Sequence, residues 1–182
     1  RNQFTSSMSS LEGGLAMREK LLKHQRDFYA SAPQEAQRNP VKAYVLGFDG
    51  ARTRAQVLGQ MLRKHRIRVY RLAKEVTVAD RIFQPDEAFV IPMNQPQSRL
   101  IKALMERTTI FQDSLFYDIS SWTMPLAFAV PHGEIRQNPN ALIGEEITEI
   151  VLDGGQLHGG RSTYAYLMEW NRYYAPRSLY KV

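Results

Sequence analysis

The chain has 182 residues, no cysteine, 43% hydrophobic and 23% charged residues, and a formal net charge of +6. That length suits one domain with a substantial core, and the missing thiols exclude disulfides, cysteine-ligated zinc and thiol nucleophiles. No stretch approaches the roughly 20 uninterrupted apolar residues of a membrane span, and the first residues lack the apolar run and cleavage site of a signal peptide.

In chain order, residues 5–31 read as a helix, with Met8, Leu11, Leu15, Leu22 and Phe28 near helical spacing, although Gly13-Gly14 weakens its middle. Residues 32–40 read as a polar linker, because Pro33 and Pro40 each disfavour helix in the residue before them. This divides the chain into a helix and linker over 1–40 and an α/β domain over 41–182. Val41 to Phe48 is a buried-type strand, Arg52 to His65 a helix with Ala55, Leu58, Met61 and Leu62 on one face, and Ile67 to Leu72 the next strand. Strand, helix, strand in that length is a βαβ unit. The basic cluster from Arg63 to Arg71 closes the helix, where positive charge is favourable. No aromatic stacking platform accompanies it, so it reads as a solvated face and no nucleic-acid partner is expected.

The unit repeats in outline with Glu87 to Met93 as a strand, Pro96 opening the next helix, and Gln97 to Arg107 carrying Leu100, Ile101, Leu104 and Met105 inward. Leu115 to Ile119 reads as a short strand, and Trp122 to Val130 as a short helix if Pro125 lies in its first turn. Ile147 to Leu152 and Ser162 to Met168 both alternate and predict a β-hairpin, and Arg177 to Val182 begins a helix. The sum is an α/β domain with a mainly parallel core sheet and a late β-hairpin.

In such a sheet, ligands bind at the carboxyl ends of the strands. The candidates there are Asp49 and Arg52 after the first strand, Asn94 and Arg99 after the third, and Asp118 before Ser120-Ser121-Trp122. The plainer reading makes Asp49 and Thr53 helix caps, Gly50 a turn and Pro96 a helix start. Ser120 and Ser121 lack the Gly-x-Ser-x-Gly elbow of a serine nucleophile. His132-Gly133-Glu134 reads as a loop between Pro131 and Pro139, and His158 lies in a Gly-rich turn that leads into a strand, unlike a phosphate-binding loop. Tyr164, Tyr166, Trp170, Tyr173 and Tyr174 read as core packing or as a surface docked against another domain.

The run from Ala88 through Ile91-Pro92-Met93-Asn94-Gln95-Pro96 to Leu104, the run Phe111-Gln112-Asp113-Ser114-Leu115-Phe116-Tyr117-Asp118 to Leu126, and the late Tyr166-Leu167-Met168-Glu169-Trp170-Asn171-Arg172 resemble one protein group. They are similar to the segment that follows the catalytic domain in large bacterial proteins of the zinc carboxypeptidase (carboxypeptidase A-like) family. The resemblance implies a flavodoxin-like or amidotransferase-like three-layer sandwich, and a parent that is a secreted or periplasmic metallopeptidase, a zinc-dependent hydrolase. The chain starts without Met and stops at Tyr180-Lys181-Val182 as a helical pattern continues, which fits a segment of a longer protein.

Members of that family hold zinc through His-x-x-Glu and a distant His. Three residues after His24, His65, His132 and His158 stand Asp27, Arg68, Ile135 and Arg161, so no family zinc ligand carries over. A glutaminase of the amidotransferase type is excluded by the missing cysteine. The expectation is a non-catalytic accessory domain with no cofactor of its own, zinc belonging to the parent's catalytic domain. Its partner would be that peptidase domain, with homo-oligomerisation open. The alternative is a ligand-binding module at the strand ends.

Overall fold

A computed structural model describes residues 2–107 and 123–181. Helices α1 (Asn2–Ala16) and α2 (Arg18–Arg38) are followed by β1 (Ala43–Gly47), α3 (Arg52–Lys64), β2 (Tyr70–Leu72), β3 (Val76–Val78), β4 (Arg81–Phe83), β5 (Ala88–Pro92) and α4 (Ser98–Met105). After these come α5 (Met124–Ala127), β6 (His132–Ile135), β7 (Ile143–Glu146) and α6 (Ala175–Lys181).

Among the described residues, five strands form one sheet in the order β6-β1-β5-β2-β7, and every neighbouring pair is antiparallel. The mainly parallel sheet expected from the sequence is therefore wrong, and so is the three-layer flavodoxin-like or amidotransferase-like arrangement built on it. The helices of the two βαβ readings are real, but their strands are not adjacent. β1 and β2 run the same way with β5 between them, and β5 and β6 run the same way with β1 between them. The strands β6-β1-β5-β2, with α3 and α4 as crossovers, have the split βαβ order of ferredoxin-like folds.

The misreading has a physical source. Continuous apolar strands signal burial on both faces, which is usual for parallel sheets. Here both faces of an antiparallel sheet are covered. On one face, Tyr44, Leu46, Phe89 and Ile91 pack with Leu58 and Leu62 of α3 and Ile101 and Met105 of α4. On the other, Ala43, Val45, Ala88 and Val90 pack with Phe83, Val76 and Val78 of the β3–β4 hairpin. That hairpin lies close on β6: a Cβ at Gly133 would stand 2.6 Å from a Val78 methyl. Pro92 ends β5 without opening an edge, since Ala43 pairs with it on the β1 side.

The late hairpin is also absent. Residues 151–174 contain no strand and are almost all exposed. β7 forms earlier, at Ile143–Glu146, and the chain continues along it as the Ile147 N–H donates to the Val69 carbonyl at 2.9 Å. The alternation over 147–152 marks anchoring on the helix-side core, with Ile150 buried in it and Ile147 packed partly buried against it, while Val151 stays 70% exposed.

The linker expected over 32–40 is helical as far as Arg38. Pro33 removes one ladder hydrogen bond, but Ala32 and Ala36 are buried and the Ser98 hydroxyl donates to the Ala32 carbonyl at 3.3 Å. α1 joins α2 at Met17, where the ladder continues through Met17 N–H to Gly13 C=O and Leu21 N–H to Met17 C=O, each 2.9 Å. α1 itself buries no residue. The short helix with Pro125 in its first turn forms as α5, whereas the strand expected over 115–119 lies outside the described residues.

Candidate functional site

Antiparallel strands separate the residues that a parallel sheet would gather. β1 ends at Gly47, opposite the start of β5 at Ala88, and β5 ends at Pro92, opposite the start of β1. Asp49 and Arg52 therefore leave one end of the sheet and Asn94 and Arg99 the other, a strand length of roughly 15 Å away. Asp118, Ser120 and Ser121 lie outside the described residues.

The β1–α3 end is filled by the chain's own C-terminal segment. Arg52 pairs with Asp153 at 3.7 Å and lies over the Phe48 ring at 4.9 Å. Arg54 Nη1 donates to the Asn171 carbonyl at 2.6 Å, and its Nη2 reaches the Gly50 and Ala129 carbonyls at 3.2 and 3.4 Å. Gly50 makes the turn at φ 60, but α3 is capped by Ala51 with no side-chain hydrogen bond, so Asp49 and Thr53 are not caps. The cavity left between Arg52, Arg54 and Tyr173 is about 10 Å³, room for no more than a water.

The opposite end holds two clefts on either side of the end of α2. The smaller, about 430 Å³, has Asn94 on its wall together with Lys42, Arg68, Tyr70, Asn138 and Asn140. The larger, about 520 Å³, lies between α2, α4 and β6. Among the described residues five cations line it, Arg38, Arg99, Lys102, Arg107 and Arg136, against three carboxylates, Glu35, Glu106 and Glu134.

Three of those cations are engaged. Arg99 grips α2: its Nε donates to Glu35 Oε2 at 2.8 Å and its Nη2 to Ser31 Oγ at 2.9 Å, it also bonds the Phe28 carbonyl, and its guanidinium lies 4.2 Å over the Phe28 ring. Arg136 pairs with Glu134 at 2.9 Å and Lys102 with Glu106 at 3.7 Å. Arg38 and Arg107 have no ion pair among the described residues.

Tyr44 lies on the cleft wall from the second position of β1 and is 2% exposed. Burial, and then the nearby Glu134 and Glu106 carboxylates, push its phenol up to about 12 against the opposing pull of Arg136, so at neutral pH the hydroxyl is a donor. No hydrogen bond from the described residues reaches the hydroxyl, and the buried polar atom left without a partner among them is Arg54 Nε, not this oxygen. The nearby Gln95 side chain, outside the cleft lining, is buried and satisfied: it accepts the Arg68 N–H at 2.7 Å and donates to the Pro92 carbonyl at 2.7 Å.

The sequence reading names Arg99 as a strand-end candidate, and the structure places it in this cleft as a clamp on a helix. That reading passes over Tyr44, Arg38 and Arg107. The available signal was Tyr44 itself, a phenol in a strand otherwise built of Ala, Val, Leu and Gly.

The histidines stand apart. His132 is in β6 rather than a loop, with Nδ1 3.0 Å from the Val130 carbonyl, and His24 and His158 are exposed. Among the described residues no three of His, Asp and Glu are grouped to hold a metal. Nor is any described helix long and apolar enough to cross a membrane. Compared with protein-family models, with curated proteins and with solved structures, the chain matches none.

Proposed function

We propose that this chain is a non-catalytic accessory domain that docks on a neighbouring domain through its N-terminal helix. The observation that carries this reading is α1. Phe4, Met8, Leu11 and Leu15 form an apolar stripe at helical spacing, yet Phe4, Leu11 and Leu15 are 72%, 69% and 74% exposed. A stripe of that kind is the face an amphipathic helix ordinarily buries, and a contiguous exposed apolar patch marks an interaction surface. Trp170 at 62% and Tyr164 at 98% exposure add apolar surface from the C-terminal segment.

The resemblance supplies the neighbour, the catalytic domain of a bacterial zinc carboxypeptidase-like parent, secreted or periplasmic. In that reading zinc and peptide hydrolysis belong to the parent's other domain, and this domain supports its assembly. Zinc content and carboxypeptidase activity, measured on this chain and on a longer chain carrying the peptidase domain, test it. Zinc near one equivalent and activity in the longer chain alone are the expected result. Stoichiometric zinc in this chain by itself would overturn it.

A further inference from the structure

We propose that the cleft between α2, α4 and β6 binds a small organic dianion through the Arg38 and Arg107 guanidiniums, with the Tyr44 hydroxyl donating to it from the wall. The ligand class is a compact molecule presenting phosphate or carboxylate oxygens.

Three observations converge on that chemistry. The cleft has the size of small-molecule sites, about 520 Å³. Among the described residues its charge is unbalanced in one direction: three cations are matched by Glu35, Glu106 and Glu134, which leaves Arg38 and Arg107 as an excess of two positive charges. Guanidinium is the group best shaped for two-point hydrogen bonding to carboxylate or phosphate.

The third observation is independent of charge. Tyr44 lines the cleft as a residue only 2% exposed, and its hydroxyl, which has no hydrogen-bond partner among the described residues, is not one of the polar atoms sealed from solvent. A phenol O–H open to the cleft can donate to a ligand oxygen there. The two arginines come from different elements, Arg38 from the end of α2 and Arg107 from just after α4. Arg99 pins these elements to each other through Glu35 and Ser31, so the cleft wall is already braced on that side. This site is separate from the exposed face of α1 and does not depend on what that helix docks against.

Calorimetric titration of the chain at low salt with inorganic phosphate, and separately with succinate, tests the proposal. Binding of one equivalent of either probe is expected, and the probe that binds identifies the phosphate or the carboxylate source. R38Q and R107Q should each weaken that binding about tenfold, and Y44F about fivefold, as losses of charge-assisted and neutral hydrogen bonds respectively. All three changes leave the core intact, since the arginines are exposed and Y44F removes only the hydroxyl. A double variant at the far end of α3, R63Q with K64Q, removes the same kind of charge outside the cleft and should leave affinity within about twofold, screening being strong over that distance. Failure of both probes to bind would overturn the proposal. So would unchanged affinity in R38Q, R107Q and Y44F, or an equal loss in the α3 double variant.

Discussion

β1 and α1 both carry an apolar pattern and meet opposite fates. All five residues of β1 are buried, while no residue of α1 is. The strand finds partners on both faces, helices on one and the β3–β4 hairpin on the other. The helix has an apolar stripe and nothing of the described chain beneath it. An apolar pattern therefore reports that a face requires cover, and it does not report whether the same chain provides it.

The strongest way to break the comparison is to truncate one leucine in each setting. Leu58 of α3 is fully buried in the helix-side core, so Leu58→Ala should cost about 2–5 kcal/mol of unfolding free energy. Leu11→Ala, at a leucine 69% exposed, should change it by less than about 0.5 kcal/mol. Urea denaturation of the two variants measures both, and similar losses would mean that α1 is covered within this chain.

Titration sharpens the comparison from the strand side. The buried phenol of Tyr44 keeps its proton to about pH 12, whereas an unfolded tyrosine loses it near 10. The sign follows: Tyr44's contribution is intact below pH 10, falls as the pH rises from 10 to 12, and amounts to about 2–3 kcal/mol lost. Tyr70, shifted upward chiefly by burial, acts in the same direction. Unfolding free energies at pH 9 and pH 12 should differ by less in Tyr44→Phe than in the wild type.

A smaller effect lies at the boundary between the two regions. Arg99 links α4 to α2 through Glu35, Ser31 and the Phe28 carbonyl. Arg99→Ala should cost about 1–2 kcal/mol, discounted because the pair with Glu35 is partly exposed. Faster amide hydrogen exchange over residues 28–35, with the β1 and β5 amides unchanged, is the expected readout.

The same contrast explains which parts of the fold were legible. α3, α4 and α5 stand close to where periodicity and proline placed them, and β1 and β5 coincide with the two apolar runs. Strand direction was not legible, because β1 and β5 are covered on both sides and so read like strands of a parallel sheet. The β3–β4 hairpin that covers one side escaped notice: its turn is Ala79-Asp80, both at positive φ, without the Asn-Gly or Asp-Gly signature that such turns usually show. Direction then decided the site. With β1 and β5 antiparallel, Asp49 and Arg52 part from Asn94 and Arg99, and the cleft forms instead around Tyr44, which its strand context had disguised as core.

The absence of cysteine makes one measurement especially direct, since any cysteine introduced is the only thiol present. Leu11→Cys, labelled with a maleimide, reports whether the α1 face is covered. The account predicts rapid labelling in this chain alone, and labelling slowed at least about tenfold when the chain is joined to a peptidase domain, as burial of a half-open side chain requires. Equal rates in the two settings would contradict docking through α1, and slow labelling in this chain alone would show that the face is already occupied.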